Sequence, residues 1–231
     1  MKCLTYLFVD LGSIAIPFLF SFHPRIRFDK VWRSYFIANM FIIIPFLIWD
    51  VVFTKYGIWG FNPDYLCGVE LFGLPLEEYL FFICIPYACL FTYFSLKKLW
   101  SYKFITSSTQ LISLAILLLS ILMTSLNYEK AYTLSTFSFL TLLMILVIRL
   151  RFKWINHFYF SYLILLIPFF ITNGILTGSG LEKPIVWYND IHNLGIRLGT
   201  IPIEDVFYGL SLMLGIAIVF EYLMENKILT K

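Results

Sequence analysis

Apolar residues along this chain form seven long runs separated by short polar stretches. A membrane-spanning helix needs about 20 mostly apolar residues, and each run is close to that length. The runs lie at about residues 3–22, 34–53, 74–96, 109–126, 132–148, 158–176 and 201–222. The first lacks a small-residue cleavage site, so we interpret it as a span and not as a signal peptide. The pattern predicts an all-α, polytopic membrane protein with about seven transmembrane helices.

Two of these runs open on the same pattern of proline and acidic residues. Residues 75–78 read Pro-Leu-Glu-Glu, and residues 202–205 read Pro-Ile-Glu-Asp. Carboxylates in the first turn also stabilise a helix N-terminus, which is the ordinary interpretation of such a pair. An aspartate at mid-span costs about 2.5–3.5 kcal/mol, however, and acidic residues near a span are therefore functional candidates. The candidate catalytic residues of the two motifs are Glu77, Glu78, Glu204 and Asp205.

The similarity between the two parts of the chain extends beyond these motifs. The segment IIIPFLIWD, which ends at Asp50, resembles LLIPFFITN, which ends at Asn173, and IWGFNPD resembles IVWYND. The first three runs therefore resemble the last three, and an odd connector between them makes the repeats parallel. Such a 3+1+3 arrangement would bring the acid pairs to the same membrane face. We predict a first repeat at 1–106, a connector helix at 107–129 and a second repeat at 130–231.

The repeat also supplies further candidate residues. Asp50 lies within the second run, toward the face that carries the acid pairs, and is a fifth catalytic candidate; a structural hydrogen bond is the alternative. Asp10 has no counterpart in the repeat, and we interpret it as structural. An aromatic ring near an acid can stabilise a carbocation by about 2 kcal/mol or more when desolvated, although ordinary packing is the alternative for each ring. The candidate substrate-binding residues are Trp59, Asn62, Phe82, Asn173, Trp187, Asn189 and Phe207.

Composition supports a membrane protein, and charge predicts its orientation. Only 13% of the 231 residues are charged, against about 25% in soluble domains. The basic clusters follow the first, third and fifth runs and the last run: Arg25, Arg27, Lys30 and Arg33; Lys97, Lys98 and Lys103; Arg149, Arg151 and Lys153; and Lys227 and Lys231. Because basic loops favour the cytoplasmic side, we expect the N-terminus outside the plasma (inner) membrane and the C-terminus in the cytoplasm. These short clusters do not indicate nucleic-acid binding.

Several common site signatures are absent from the sequence. No GxGxxG, P-loop, GxSxG or HExxH motif occurs, so no dinucleotide, phosphate or metalloprotease site is indicated. The four cysteines have no metal-binding spacing, and we predict neither a metal nor a cofactor. The last run holds no lysine, which excludes an opsin-type retinal Schiff base. The three histidines are interpreted as loop or interface residues, with His192, beside Asp190, as a minor catalytic candidate.

The PLEE and PIED motifs, the FNPD and WYND segments and the 3+1+3 repeat together resemble the membrane-integral lycopene cyclase family, in the form that fuses its two small subunits. The resemblance covers nearly the whole chain. The second motif ends in Asp205 instead of glutamate, and Asp50 is answered by Asn173. The two halves therefore need not have equal roles.

The resemblance implies a lycopene β-cyclase of carotenoid biosynthesis, which carries out an isomerisation without net redox change. An acid protonates the terminal double bond of lycopene, the next double bond closes a six-membered ring, and loss of a proton leaves a β-ionone ring. One cyclised end gives γ-carotene, and two give β-carotene. The implied partners are lycopene and other linear carotenoids, the lipid bilayer and other enzymes of the carotenoid pathway. The sequence leaves open which carboxylate is the acid and whether β or ε rings form.

Two other classes of function stay open at this point. A small-solute transporter can also have a 3+1+3 arrangement, but it should line a central path with neutral polar residues. An intramembrane prenyltransferase would need two Asp-rich, magnesium-binding motifs, and NDIHN around Asp190 is at most half of one.

Overall fold

Seven long helices make up most of the protein, whose structure is a computed structural model that describes residues 2–100 and 106–226. In the described residues the helices are α1 (Thr5–Phe20), α2 (Trp32–Lys55), α3 (Leu76–Leu99), α4 (Thr106–Leu126), α5 (Ala131–Leu150), α6 (Ile155–Leu176) and α7 (Ile203–Glu225). All seven are long and apolar enough to cross a membrane. The predicted all-α, polytopic membrane protein with seven spans is confirmed.

Short strands and 3₁₀ helices lie in the loops before α3 and α7. The strands are β1 (Trp59–Phe61), β2 (Glu70–Leu71), β3 (Leu74–Pro75), β4 (Val186–Tyr188), β5 (Arg197–Leu198) and β6 (Ile201–Pro202). β2 pairs with β3 and β5 with β6, so that a small hairpin leads directly into α3 and another into α7. Each hairpin thus fixes the start of a helix that carries an acid pair.

Apart from two 3₁₀ helices at Lys2–Leu4 and Phe28–Val31, the elements follow the same order in both parts of the chain. Two helices, one strand, a 3₁₀ helix, a hairpin and a third helix succeed one another, first as α1 to α3 and then as α5 to α7. In both, an asparagine caps the 3₁₀ helix: Asn62 accepts a hydrogen bond from the Asp64 N–H and Asn189 from the Ile191 N–H. This order supports the repeat. The boundaries at 106–107 and 129–130 stay a prediction, and residues 101–105, with Lys103, lie outside the described residues.

Strands β1 and β4 pair with each other and so join the two halves. The pairing is antiparallel, with Trp59 opposite Tyr188, Gly60 opposite Trp187 and Phe61 opposite Val186. It continues on both sides through matching bonds, from the Asn62 N–H to the Ile185 carbonyl at 2.8 Å and from the Asn189 N–H to the Ile58 carbonyl at 2.9 Å. These bonds repeat under exchange of the halves, as a two-fold relation requires.

Gly60 leaves the space that this pairing needs. A Cβ added at Gly60 would lie 2.4 Å from the indole of Trp187, which is far inside van der Waals contact. A larger residue there would force the Trp187 side chain or strand β4 itself to move. The lack of a side chain at Gly60 therefore allows β1 and β4 to pair closely at this point.

Helix packing completes the connection between the halves. In the bundle, α2 packs on α7 and α3 on α6, while α3 and α7 contact each other and α4 packs on α5. At the end of the bundle opposite the strands, Glu221 on α7 accepts hydrogen bonds from Lys97 at 2.5 and 2.6 Å and from the Tyr93 hydroxyl at 2.6 Å, both on α3. Polar bonds thus join the two halves in two places, through β1 and β4 and through the Lys97 and Tyr93 bonds to Glu221.

Candidate active site

A cleft lies between the two halves, below the β1–β4 pairing. It holds about 890 Å³ of empty space, its open mouth included. Side chains in a strand alternate between its two faces. Accordingly Trp59, Phe61, Val186 and Tyr188 line the cleft, whereas Gly60 and Trp187 are not among its lining residues. The paired strands thus form an aromatic roof.

Two carboxyl groups of the first half meet in this cleft. Asp50 lies one turn before the end of α2 and Glu78 in the first turn of α3; both are buried and interact with each other. Asp50 Oδ1 accepts a hydrogen bond from Trp59 Nε1 at 2.6 Å, and Glu78 Oε2 accepts one from the Tyr6 hydroxyl at 2.5 Å. Asp50 Oδ2 has no hydrogen-bond partner among the described residues outside this acid pair. The first half therefore places two buried carboxyl groups in the cleft.

The second half presents a single carboxyl group with neutral donors around it. Asp205, in the first turn of α7, accepts hydrogen bonds from the Tyr132 hydroxyl at 2.5 Å, from Asn173 Nδ2 at 2.8 Å and from the Tyr188 hydroxyl at 3.0 Å. Asn173 is the counterpart of Asp50 in the sequence repeat. Where the first half has an acid pair, the second half has an acid and an amide.

The first glutamate of each motif points away from the cleft and holds a loop. Glu77 Oε1 accepts a hydrogen bond from the Cys67 N–H at 2.6 Å, and Glu204 Oε1 accepts one from the Leu194 N–H at 2.7 Å; each donor lies ten residues earlier in the chain. Both glutamates are fully buried, and neither lines the cleft. Asp10 is buried beside Glu77 without a hydrogen-bond partner among the described residues.

Five of the twelve candidate site residues therefore meet in the cleft, and seven lie elsewhere. The five are Asp50, Trp59, Glu78, Asn173 and Asp205. Besides Glu77 and Glu204, those placed elsewhere are Asn62, Phe82, Trp187, Asn189 and Phe207. The two asparagines cap 3₁₀ helices and reach backbone carbonyls of the opposite half. The two phenylalanines pack in the bundle, Phe82 near Phe46 and Phe207 against Phe137.

Several tyrosines complete the site, and the sequence reasoning missed them. Tyr6 and Tyr132 begin the first helix of each half, and each donates to the second acid of its motif. Extending the repeat to these equivalent positions would have found them. Tyr188 and Tyr208 also line the cleft. Burial, followed by the nearby Asp205, raises the pKa of Tyr188 well above its usual value, so that this phenol remains a hydrogen-bond donor.

Asp190, beside the minor candidate His192, lies on the surface and not in the cleft. Its side chain is 57% exposed and pairs with Arg197 at 2.6 Å. The hydrogen bond from Asn193, together with Arg197, holds the pKa of Asp190 below its ordinary value. This group stabilises the loop between β4 and β5. Among the described residues, no group of three or more His, Cys, Asp or Glu side chains is placed to hold a metal ion.

The remaining cleft wall is mostly apolar and reaches into the bundle. Phe81, Ile85 and Cys89 on α3 face Leu165 and Phe169 on α6 across this space. Tyr162 on α6 donates a hydrogen bond to the Val206 carbonyl in the first turn of α7. The cleft thus combines a layer of acids under an aromatic roof with a deep apolar wall, which suits a long apolar molecule that reacts with an acid at one end.

Comparison with known proteins identifies the family. A family model described as lycopene cyclase matches residues 4–96 and 129–223, two segments that correspond to the two halves. Relatives named bifunctional lycopene cyclase/phytoene synthase occur in Podospora anserina, 27% identical over 90 residues, and in Colletotrichum graminicola, 31% identical over 84 residues. A third, from Neurospora crassa, is 29% identical over 90 residues.

These alignments cover 36–39% of this chain and 14% of each relative, so the chain matches only a small part of those longer proteins. No solved structure matches the chain significantly. The family model matches well over half of the chain. The chain belongs to the lycopene cyclase family, and the resemblance that the sequence motifs predict is confirmed.

Proposed function

We propose that this member of the lycopene cyclase family closes the open ends of lycopene to β-ionone rings, giving γ-carotene and then β-carotene. The observation that carries the proposal is the convergence of Asp50, Glu78 and Asp205 on one apolar, aromatic cleft between the halves. No lysine, arginine or histidine is among the described residues that line this cleft. Buried carboxyl groups without a cationic partner are suited to holding and moving protons.

The reaction needs only proton transfers and a change of carbon–carbon bonds. A carboxylic acid gives its proton to the terminal double bond of the substrate, and one C–H bond forms. The tertiary cation is attacked by the next double bond, which closes the ring. A carboxylate then removes a proton from the ring, and one C–H bond breaks. Atoms and electrons balance, and no oxidant or reductant takes part.

The cleft walls support this chemistry by stabilising the cation and excluding water. Cations are attracted to aromatic faces by about 2 kcal/mol or more in dry surroundings, and the roof provides Trp59, Phe61 and Tyr188, with Tyr208 beside them. A pocket closed to water also prevents capture of the cation as an alcohol. The apolar wall along α3 and α6 offers an apolar surface to the polyene behind the reacting end.

The proposed partners follow from the apolar substrate. Lycopene and other linear carotenoids dissolve in the bilayer, so the substrate reaches the cleft from the membrane, and no cofactor or nucleic acid is needed. The fungal relatives carry the name of a phytoene synthase beside that of a lycopene cyclase, which supports activity close to other enzymes of carotenoid synthesis. The proposal also specifies the ring type, since it names β rings and not ε rings as the product.

Neither alternative class has an observation of its own in its favour. A transporter needs a polar path through the bundle, whereas α3 and α7 are joined beyond the cleft by the Lys97–Glu221–Tyr93 cluster and by buried apolar residues. A prenyltransferase needs paired Asp-rich motifs, and Asp190 is committed to Arg197 on the surface.

Expression in a bacterium that accumulates lycopene tests the activity. We expect yellow β-carotene to replace red lycopene, as measured by chromatography of extracted pigment against the amount of membrane-inserted protein. Unchanged lycopene with the protein present in the membrane would contradict the proposal. γ-Carotene as sole product would limit the activity to one end.

We further propose that the protein lies in the plasma membrane with its N-terminus outside, as the basic clusters at Arg25–Arg33 and Arg149–Lys153 favour. Lys227 and Lys231, which contribute to this expectation, lie outside the described residues. A reporter fused after Lys231 should then read cytoplasmic, and reporters inserted near Asn62 or Asn189 should read outside. Opposite results for Asn62 and Asn189 would contradict parallel repeats.

A further inference from the structure

We propose that the two halves divide the reaction between them: the Asp50–Glu78 pair delivers the proton to the substrate, and Asp205 remains a carboxylate that stabilises the ring cation and removes its proton. The inference rests on the proposed cyclase activity and assigns the acid and the base, which the sequence leaves open.

The first half contributes a pair of buried acids to the cleft. Asp50 and Glu78 are both buried and both line the cleft, and this lining contains no cationic side chain among the described residues. Two carboxyl groups side by side in such surroundings repel each other when both are ionised, and sharing one proton removes that repulsion. The donors to the pair reach one oxygen of each acid. The Trp59 indole, and at 3.4 Å the Thr54 hydroxyl, reach Asp50 Oδ1, and the Tyr6 hydroxyl reaches Glu78 Oε2. The other oxygen of each acid is left for a shared proton.

Asp205 has a different environment from the Asp50–Glu78 pair. Its two oxygens accept three hydrogen bonds, and the amide Nδ2 of Asn173 can only donate. A carboxylate is an acceptor at both oxygens, and three convergent donors satisfy it without any proton of its own. The second half therefore offers the anion that a carbocation needs beside it.

The Asp50–Glu78 pair and Asp205 face the same space. Asp50, Glu78 and Asp205 all line the cleft, together with Tyr132 and Tyr188 of the second half. The Tyr208 ring lines the same cleft. A substrate end group in this space contacts the proton source on one side and the carboxylate on the other.

The bonds formed and broken follow from this arrangement. The shared proton passes from the Asp50–Glu78 pair to the CH carbon of the terminal double bond, which becomes a ring CH₂. The ring then closes, and Asp205 takes the proton whose loss gives the ring double bond. The pair is left one proton short and Asp205 holds one, so that return of this proton restores the starting state.

The test separates protonation from proton loss with deuterium. Membranes that contain the full-length protein are incubated with lycopene in D₂O, and both the product and the recovered lycopene are analysed by mass spectrometry. In Glu78→Gln we expect product to fall by about 10²–10⁴-fold, the usual loss for a general acid, and the recovered lycopene to carry no deuterium. Glu70→Gln, on the exposed strand β2, is the control for membrane insertion and should match the wild type.

Asp205→Asn should behave differently, because its proton donor is intact. The cation still forms, and with the base removed the acid pair takes the proton back. We expect recovered lycopene to contain deuterium, or rings with a displaced double bond or a hydroxyl group to appear. If Asp205→Asn does not insert, Tyr188→Phe removes one donor and keeps the carboxylate; we then expect altered product ratios with deuterium still incorporated.

Each outcome decides the inference. Unlabelled lycopene and no product from an inserted Asp205→Asn variant would overturn it, since Asp205 would then be needed for protonation. Deuterium in lycopene recovered from Glu78→Gln would overturn it as well. A wild-type protein that forms no cyclised product would instead refute the proposed function, which keeps the two failures distinct.

Discussion

The two halves of this protein place the same frame around different chemistry. In both, a tyrosine in the first helix donates to the second acid of the motif, Tyr6 to Glu78 and Tyr132 to Asp205. The next neighbour differs: Glu78 faces Asp50, whereas Asp205 accepts a hydrogen bond from Asn173. The exchange of an acid for an amide thus replaces a neighbour that can share a proton with one that donates a hydrogen bond.

Within the two motifs, by contrast, the first acids are equivalent. Their first glutamates, Glu77 and Glu204, are equivalent in position and in bonding, since both hold the loop segment ten residues upstream. Four carboxyl groups that look alike in the sequence therefore divide by position within each motif. The first acid of each builds the frame, and the second acid faces the cleft.

Changing Asp50 should break the difference between the halves with the largest effect. Asp50→Asn gives the first half the amide that the second half has, and Glu78 loses the carboxyl group with which it shares a proton. We expect β-carotene formation per inserted protein to fall by about 10²–10⁴-fold, while Asp50→Glu retains part of the activity.

The exchange can also be made in both directions. Adding Asn173→Asp to Asp50→Asn recreates an acid pair, now beside Asp205. We expect a recovery of about tenfold over Asp50→Asn, within the coupling energies seen for residues that share a site. An Asp50→Asn protein with near wild-type activity would remove the acid pair from the mechanism.

The paired tyrosines sharpen the comparison, because their hydrogen bonds have the same length of 2.5 Å. A hydrogen bond to a charged group contributes about 1.5–3 kcal/mol and one to a neutral group about 0.5–1.5 kcal/mol. Asp205 as a carboxylate carries a full charge, whereas the Asp50–Glu78 pair spreads one charge over two acids, so Tyr132→Phe should cost more activity than Tyr6→Phe, at most about 100-fold for the former, since each 1.36 kcal/mol is tenfold in rate. Initial rates on the two variants decide this, and the reverse order would place the more localised charge on Glu78.

The first glutamates should show equal and smaller effects. Glu77→Gln and Glu204→Gln keep a carbonyl oxygen to accept the loop N–H, so we expect less than about a tenfold loss of activity, below what loss of a general acid causes. Truncation to alanine removes the acceptor of this partly buried hydrogen bond and should cost about 1–3 kcal/mol of stability, measured by thermal unfolding in detergent. A glutamine variant as inactive as Glu78→Gln would show that its carboxyl group takes part in the reaction.

The spans and motifs could be predicted from the sequence because both depend on local pattern. A run of about 20 apolar residues predicts a spanning helix whatever surrounds it, and two copies of Pro-x-Glu-acid mark the starts of α3 and α7. The division between Glu77 and Glu78 could not be predicted in this way. Adjacent residues on a helix point about 100° apart, and which of them faces a cleft depends on how α3 packs in the bundle.

The aromatic roof shows a second limit of sequence comparison. The motifs align Trp59 with Trp187, yet the strand register places Trp187 opposite Gly60 and puts Tyr188 opposite Trp59. A shift of one residue turns a side chain to the other face of a strand. Trp59 therefore lines the cleft while Trp187 lies outside it, 41% exposed. Pairing between three-residue strands that are distant in sequence leaves no periodic signal, so the register appears only in the structure.

The smallest expected effect is a difference in acid sensitivity between the loop at residues 190–197 and the loop at residues 63–70. Asp190 begins the 3₁₀ helix of the second half, and Pro63 occupies that position in the first. Because Asn193 and Arg197 lower the pKa of Asp190, its contribution to stability is present above the ordinary aspartate pKa and is lost as the pH falls through the lowered value. A surface ion pair contributes only about 0–1 kcal/mol, so we expect a modest rise in hydrogen exchange at residues 190–197 below about pH 4, with no matching rise at residues 63–70. Arg197→Gln should reduce this pH dependence. An equal rise in both loops would mean that acid loosens the paired strands themselves, and the Asp190–Arg197 pair would then not be what distinguishes the second loop from the first.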